Sequence, residues 1–233
     1  SSDLFAGPFT YELVTGDGSN DADNGLVKIV GDQLQVAGSI DFETNPTLEL
    51  YIQVTDAGGL TYTEAVTVTV NDVNDPPIDI ALSASDVAEN ATVDTVIATL
   101  SATDVDVAAG FAGPFTYALV AGDGTNDADN GLVTIVGDEL RVNGGIDCEA
   151  NPTLELYIQV TDAGGLTYTE AVTVTVNDVN ENPTAINLSA TDINENNAPG
   201  AVVATLTATD PDGVASSFAG PFTYELVTGT GDT

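Results

Sequence analysis

Pairs of acidic residues separated by one position recur along this chain, and oxygen ligation is the chemistry they offer. Asp104 and Asp106 form one such pair, and Asp147 and Glu149 form another. In an extended strand every second side chain lies on the same face, so each pair directs both carboxylates the same way. Several such pairs converging on one segment would make a ligand set for a hard cation. Calcium takes about six to eight oxygen ligands, whereas magnesium keeps more of its water.

The composition excludes several classes of partner, catalyst and metal site. The 233 residues include 37 acidic and two basic residues, which gives a formal net charge of −35 at pH 7. Such a surface repels phosphate and anionic lipid, so neither nucleic acid nor a membrane is expected as a partner. The chain has no histidine and one cysteine, which excludes Ser–His and Cys–His catalysis and removes the usual zinc, copper and iron ligands. Salt or bound cations must therefore neutralise the carboxylates.

Short strands must position these side chains. Hydrophobic residues make up 42% of the chain, enough to bury a core. Within residues 153–160, Leu154, Leu156, Ile158 and Val160 alternate with polar residues, which is the period of a strand. Stretches rich in Gly, Asp and Asn separate such runs, and no run has a helical period. About seven short strands in roughly 105 residues predict an all-β, Greek-key β-sandwich.

Internal repeats set the organisation of the chain. The pentapeptide Gly-Pro-Phe-Thr-Tyr begins at Gly7, Gly113 and Gly220, at spacings of 106 and 107 residues. A 28-residue segment occurs twice without change, at Thr47–Asn74 and Thr153–Asn180. We predict one complete repeat, residues 76–182, between the C-terminal two-thirds of a repeat, residues 1–75, and the N-terminal half of another, residues 183–233. This pattern is typical of a tandem array.

Several motifs, in order, resemble tandem cadherin repeats of the bacterial kind found in very long secreted or surface proteins. Asn194–Gly213 is similar to the opening strands of the family, with Glu195 at the base glutamate. Ile40–Glu43 and Ile146–Glu149 resemble the family's D-R-E element, with Phe42 or Cys148 in place of Arg. The sequences VTDAGG, at residues 54–59 and 160–165, and NDVNEN, at 177–182, resemble the lone aspartate and the linker of the family.

The resemblance implies two calcium-binding junctions, each with ligands from two repeats and the linker between them. For the first junction the implied ligands are Asp41, Glu43, Asp72, Asn74, Asp75, Asp104, Asp106 and Asp162. For the second junction they are Glu89, Asp147, Glu149, Asp178, Asn180, Glu181, Asn182, Asp210 and Asp212. The linkers depart from the family at Pro76, which replaces Asn, and at Glu181, which replaces Asp. These departures leave the number of ions per junction open.

The resemblance implies a calcium-rigidified structural or adhesive repeat segment of an extracellular bacterial fibre or giant adhesin, and no enzyme. Calcium would convert a flexible string of repeats into a rod, at the cell surface or beyond it. Two alternatives stay open, a calcium-dependent polysaccharide-binding module and a homophilic cell–cell adhesion module. The expected partners are neighbouring repeats, further copies of the chain in a head-to-tail fibre, or a cell-surface glycan.

Other interpretations of the acidic residues lead to different expectations. A halophilic protein would carry them as a solvated surface without ordered metal sites. Paired carboxylates could also serve a glycosidase, but no aromatic-lined cleft is evident from the sequence, and metal ligation already accounts for these residues. The loops at 16–25 and 122–131 contain an Asp-rich pattern, for which a turn-rich hairpin is favoured over an additional metal site because position 12 lacks glutamate.

Overall fold

The structure is a computed structural model that describes residues 8–106, 111, 113–213, 218 and 220–228. It divides into two compact units, Ser1–Pro76 with Asp104–Gly113, and Pro77–Thr103 with Pro114–Thr233. Apart from two short 3₁₀ helices, Asn24–Leu26 and Asn130–Leu132, the regular elements in the described residues are all β-strands. The predicted all-β class is therefore confirmed.

The first unit contains five strands in two small sheets. They are β1 (Thr10–Leu13), β2 (Val27–Val30), β3 (Gln33–Val36), β4 (Thr47–Thr55) and β5 (Thr61–Thr69). One sheet has the order β1-β4-β5 and the other is the hairpin β2-β3, with antiparallel pairing throughout. Val27, Leu48 and Leu50 form the buried core between the two sheets.

The second unit contains a complete sandwich and a further hairpin. The sandwich strands are β6 (Asp79–Leu82), β7 (Asp86–Ala88), β8 (Val96–Thr103), β9 (Thr116–Leu119), β10 (Val133–Val136), β11 (Glu139–Val142), β12 (Thr153–Thr161) and β13 (Thr167–Asn177). The hairpin consists of β14 (Ala185–Leu188) and β15 (Leu206–Thr209). The sandwich sheets have the orders β10-β11-β8-β6 and β7-β13-β12-β9.

Residues 79–88 contribute to both sheets of this sandwich. The strand β6 pairs antiparallel with β8, whereas β7 runs parallel to β13 in the facing sheet. The sandwich therefore has eight strands, whereas the sequence predicts about seven. Between β10 and β11 the chain reverses at Gly137, whose φ of 67° is accessible to glycine at little steric cost.

The core of the sandwich follows the predicted alternation. Leu154, Leu156, Ile158 and Val160 on β12 are each 0% exposed, while the residues between them are half-buried. These side chains pack against the facing sheet, including Leu140 and Leu100. Burying a side chain of this size contributes about 1.5–3 kcal/mol relative to leaving it in water. Two buried apolar clusters thus hold the strands of the sandwich together. The buried carboxylates of Glu89 and Asp104 directly follow the ends of strands.

Candidate metal centre

Three carboxylates of the first unit meet at the end of its sheets. We name Glu43, Asp72 and Asp106 cluster 1, since each offers a carboxylate oxygen within 4.8 Å of the others. Glu43 lies in the turn that follows Ile40, Asp72 follows β5, and Asp106 follows β8. The turn is shaped by Asp41, whose Oδ1 accepts the backbone N–H of Glu43 at 3.1 Å. Three separate segments are therefore needed to assemble this cluster.

Oxygen atoms without partners mark cluster 1 and its neighbour Asp104. Asp104 and Asp106 are 3% and 1% exposed. Asp106 Oδ2 accepts the backbone N–H of Asp75 at 2.8 Å, and Asp104 Oδ1 accepts that of Asp106 at 3.1 Å. Within the described residues, Asp106 Oδ1, Asp104 Oδ2 and both carboxylate oxygens of Asp72 are buried without a hydrogen-bond partner. Burying unpaired carboxylate oxygen costs several kcal/mol, which a cation offsets. An oxygen-only donor set of this kind fits a hard cation.

Four carboxylates of the second unit form the matching group. We name Glu89, Glu149, Asp178 and Asp212 cluster 2, whose ligand oxygens also lie within 4.8 Å of one another. Three of them lie 106 positions after the members of cluster 1, and Glu89 is the additional member. Glu89 and Asp212 are only 3% and 2% exposed. The same sequence pattern therefore assembles two acidic sites in one chain.

Backbone N–H groups hold Glu89 in place. Its Oε1 accepts the N–H of Val179 at 2.7 Å, and its Oε2 accepts the N–H of Cys148 at 2.8 Å. One carboxylate thus joins β7 to the linker and to the turn before β12. The neighbouring Asn90 has a φ of 57°, and its Nδ2 donates to Glu181 Oε1 at 3.0 Å. This contact of Asn90 with the linker was not predicted from the sequence, although its position directly after Glu89 was a signal.

The pKa directions follow from crowding of negative charge. A hydrogen bond with its own backbone N–H lowers the pKa of Glu43, but desolvation and the carboxylates of Asp41, Asp72 and Asp106 outweigh it, so the pKa is raised. Desolvation raises the pKa of Glu149, with Glu89, Asp178 and Asp147 adding to it. Desolvation likewise raises the pKa of Asp212. Each cluster disfavours its own full ionisation, which is the electrostatic condition for attracting a cation.

Several of the other predicted ligands accept backbone N–H groups close to them in the chain. Asp147 Oδ1 accepts the N–H of Ala150 at 3.0 Å, and Asp210 Oδ1 accepts the N–H of Asp212 at 3.2 Å. Asp162 is 6% exposed, and its Oδ1 accepts the N–H of Leu166 at 2.8 Å in the turn after β12. In the part of the chain that the structure describes, the predicted residues outside both clusters are Asp41, Asn74, Asp75, Asp104, Asp162, Asp147, Asn180, Glu181, Asn182 and Asp210.

The aspartates of the Asp-rich loop at 122–131 accept backbone N–H groups, both within the loop and from β12. Asp127 accepts the N–H groups of Gly122 and Gly124, both at 2.8 Å, and Asp129 accepts the N–H of Glu155 at 2.8 Å. A hydrogen bond from the Thr125 hydroxyl, together with backbone N–H groups, lowers the pKa of Asp123 to about 2. These contacts account for the aspartates as turn-forming residues.

An aromatic-lined groove that was not predicted from the sequence lies on the second unit. It has a volume of about 490 Å³, and Leu100, Phe115, Tyr117 and Asp138 are among its lining residues. Desolvation, with a contribution from Asp138, raises the pKa of Tyr117. Asp138 is the one carboxylate among the groove's lining residues, so the groove does not present the carboxylate pair that a glycosidase requires.

Part of this chain matches a known family model, and much of it is similar to known proteins. Residues 83–177 match the family model of the cadherin domain. Human protocadherin gamma-C3 is 36% identical over 195 residues, which cover 79% of this chain and 20% of that protein. Protocadherin Fat 2 of Rattus norvegicus is 36% identical over 188 residues, which cover 77% of this chain and 4% of that protein. The chain thus spans a small part of each of these relatives.

A solved structure gives the same result for the fold. The EC3–6 cis-dimer structure of protocadherin gamma B7 aligns with a TM-score of 0.54 at 24% identity, covering 87% of this chain and 51% of that chain. The cadherin-like character expected from the motifs is confirmed, and the matched family comprises adhesion domains rather than enzymes. None of the helices in the described residues has the length and apolar character that crossing a bilayer requires.

Proposed function

We propose that this chain is a non-enzymatic, calcium-rigidified repeat segment of an extracellular fibre or giant adhesin, in a bacterial setting. Its repeats are residues 1–75, 76–182 and 183–233, with calcium held at the two junctions between them. The observation that carries the proposal is the set of buried carboxylate oxygens of Asp72, Asp104 and Asp106 that have no hydrogen-bond partner within the described residues. A bound calcium ion would give these oxygens the positively charged partner that they lack.

The order of the ligands along the chain supports a mechanical role. In cluster 1, Glu43 precedes the linker, Asp72 lies at the start of the linker, and Asp106 belongs to the repeat that follows it. Cluster 2 has the same arrangement, with Asp212 beyond the second linker. Ligands that belong to successive repeats and share one cation restrict the linker between them. Without a cation the same carboxylates repel one another, which favours a flexible linker.

Self-recognition between copies is a second candidate function. The relatives are named protocadherins, and one solved neighbour is described as a cis-dimer. We propose that copies of this chain interact with one another in addition to binding calcium. Binding of a cell-surface glycan stays a prediction from the sequence.

Calcium-dependent unfolding tests the proposed function. The melting temperature of the chain is measured in chelator, in calcium and in magnesium at equal ionic strength, for wild type and for the Asp104→Asn/Asp106→Asn variant. The expected result is a calcium-specific rise that the variant blunts. One filled site adds roughly 2.7 kcal/mol when free calcium is about 100-fold above its Kd. A rise no larger than that produced by ionic strength alone would refute the metal sites.

An Asp17→Asn variant is a suitable control for this measurement. Asp17 is an exposed aspartate of the loop at 16–25, where its Oδ1 accepts the N–H of Ser19 at 2.9 Å. The Asp17→Asn substitution removes one negative charge at a position far in sequence from the linker ligands. The calcium-induced rise of this control should equal that of wild type.

A further inference from the structure

Aromatic and apolar side chains line a groove within the second unit, which we name the aromatic groove. Phe115 directly precedes β9 and Tyr117 lies on it, at the edge of one sheet. Leu100 and Ser101 lie on β8 in the facing sheet, and Asp138 lies in the turn between β10 and β11. The volume of about 490 Å³ is within the range of small-molecule sites, about 300–1,000 Å³. All five residues belong to the second unit, which forms the groove on its own.

The strand geometry gives the two aromatic rings a common direction. Side chains two positions apart on a strand lie on the same face, so Phe115 and Tyr117 both face the interior of the sandwich. Both pack against the buried cluster that contains Leu100 and Ile158. Each residue is nevertheless only half-buried, so part of its surface stays open to the groove. The core therefore fixes two aromatic rings without covering them.

A backbone hydrogen bond fixes the position of Asp138. The N–H of Leu100 donates to the carbonyl of Asp138 at 2.7 Å, which holds the turn against β8. Asp138 itself is exposed. Desolvation raises the pKa of Tyr117, and the negative charge of Asp138 raises it further. The carboxylate and the phenol are thus close enough to interact, so the groove presents negative charge beside an aromatic surface.

The charge of the chain selects the sign of the ligand. The net charge is −35, and of the two basic residues Lys28 lies in the first unit and Arg141 pairs with Glu139. Neither basic residue is among the described residues that line the groove. An anionic ligand is therefore repelled, whereas a cation is attracted both by the whole surface and by Asp138.

The side chains of the groove favour an organic cation over calcium. Calcium takes about six to eight oxygen ligands, whereas the side-chain oxygens of the described lining residues are those of Ser101, Tyr117 and Asp138. A primary ammonium group brings three N–H donors, each of which needs an acceptor when it leaves water. A quaternary ammonium group has no such donor. Its methyl groups pack on apolar side chains, and the faces of aromatic rings attract its charge.

We propose that the aromatic groove binds a small quaternary ammonium compound. The rings of Phe115 and Tyr117 contact its methyl groups, Asp138 lies near its positive charge, and Leu100 packs against its apolar part. The groove shares no residue with cluster 1 or cluster 2. Binding therefore needs no calcium, and its outcome is independent of the proposed function.

Choline is the probe for the charge of the ligand. Proton NMR of its methyl groups in the presence of the full chain should show an upfield shift, because the methyl protons lie over aromatic rings. Dimethylbutanol, in which carbon replaces the ammonium nitrogen of choline, has the same shape without charge and should bind at least about fivefold more weakly. Phosphocholine should also bind more weakly, because its phosphate is repelled. Equal affinity for choline and dimethylbutanol, or no upfield shift with choline, would overturn the proposal.

Asp138→Asn tests the carboxylate of the groove. This change should raise the Kd for choline at least about fivefold, because it removes the nearest negative charge. The matched control is Asp86→Asn, since Asp86 is exposed on β7, at the opposite edge of the sheet from β9. Both changes remove one negative charge from the second unit, so an effect of overall charge alone would be the same in both. Equal affinities of the two variants for choline would contradict the proposal.

Substitutions at Tyr117 test the aromatic ring. Tyr117→Leu keeps an apolar side chain but removes the ring, so it should reduce the upfield shift of choline and weaken its binding. Tyr117→Phe keeps the ring and should keep both. Because Tyr117 packs on the core, the melting temperature of each variant is measured as well. If Tyr117→Leu does not fold, Asp138→Asn still decides, because it replaces an exposed residue. A folded Tyr117→Leu variant with the shift and affinity of wild type would refute the proposed site.

Discussion

The carboxylate of Glu89 takes part in two kinds of interaction. It belongs to cluster 2, and it also accepts the backbone N–H groups of Cys148 and Val179. Glu149 lies in the same cluster but is exposed. At the scale of single residues, members of one cluster therefore differ in whether they matter before a cation binds.

Replacing Glu89 should destabilise the chain even in chelator. Glu89→Ala leaves the N–H groups of Cys148 and Val179 without their acceptor, which costs about 1–3 kcal/mol for each buried group that stays unsatisfied. Glu149→Gln is the matched variant and should show its loss of stability in calcium only. Urea denaturation of both variants in chelator and in calcium measures the difference. Equal stability of Glu89→Ala and wild type in chelator would contradict this role.

Asp123 gives a residue-scale prediction for acid pH. Its pKa is lowered from 3.8 to about 2 by the Thr125 hydroxyl and loop N–H groups, so the folded state favours the ionised form. A lowered pKa stabilises the fold fully above pH 3.8, and this stabilisation is lost as the pH falls towards about 2. Asp123→Asn should therefore flatten the acid-unfolding profile in this window.

Thr125→Ala is the graded companion to that change. It removes only the side-chain donor, so its acid profile should lie between those of wild type and Asp123→Asn. Acid unfolding followed by circular dichroism in chelator measures all three. Superimposable profiles would show that the loop hydrogen bonds do not contribute to stability.

At the scale of elements, two copies of one sequence behave differently. Residues 47–74 and 153–180 are identical, yet β5 ends at Thr69 while β13 continues to Asn177. The additional residues of β13 pair with β7, a partner that β5 does not have among the described strands. Likewise Ile158 is fully buried whereas Ile52 is only partly so. Strand length and burial here depend on neighbours rather than on local sequence.

The central strand β12 offers a direct measure of core packing. Leu156→Ala should lower the free energy of unfolding by about 2–5 kcal/mol, because it removes buried methyl groups and leaves a cavity. Gln159→Ala, on the opposite face of the same strand, should change it by less than about 0.5 kcal/mol. Urea denaturation in calcium compares the two variants. Similar losses from both would contradict the assignment of the two faces.

These comparisons show what the sequence could and could not predict. The alternation from Leu154 to Val160 predicted an inward face, and the structure confirms it. The pairs D-x-D and D-x-E predicted oxygen ligands, but they gave no indication of which oxygens would lack a hydrogen-bond partner. That depends on which backbone N–H groups lie close to each carboxylate in the fold. The N–H of Asp75, for example, donates to Asp106 Oδ2, whereas Asp106 Oδ1 has no hydrogen-bond partner among the described residues. Long-range pairings of this kind have no local signal in the sequence.

At the scale of the whole molecule, the main electrostatic feature is the large negative net charge. The two basic residues are Lys28 and Arg141, and Arg141 forms an ion pair with Glu139. Two basic residues cannot balance 37 acidic ones, so repulsion between carboxylates opposes the folded state. The screening length is about 10 Å at 0.1 M salt, which shields distant exposed charges but hardly affects buried clusters.

Salt and calcium should therefore stabilise the chain in different ways. In chelator, the melting temperature should rise with sodium chloride and then reach a plateau, as exposed charges become screened. Calcium added at the plateau should raise it again, because the buried oxygens of the clusters are beyond the reach of mobile salt. Calorimetry at constant ionic strength checks this. A calcium effect that vanishes at high salt would assign the acidity to the surface alone.

The parallel pairing of β7 with β13 bears on how a repeat responds to tension. These two strands are the second and last of the sandwich, and three residue pairs join them, from Thr175 and Asp86 to Asn177 and Ala88. A pull applied at the two ends of the sandwich slides parallel neighbours past each other. The hydrogen bonds between the two strands are then loaded simultaneously, in shear, and do not break one after another. We therefore expect these few backbone bonds, which lie next to the linker residue Asp178 of cluster 2, to contribute to the resistance of the sandwich to such a pull.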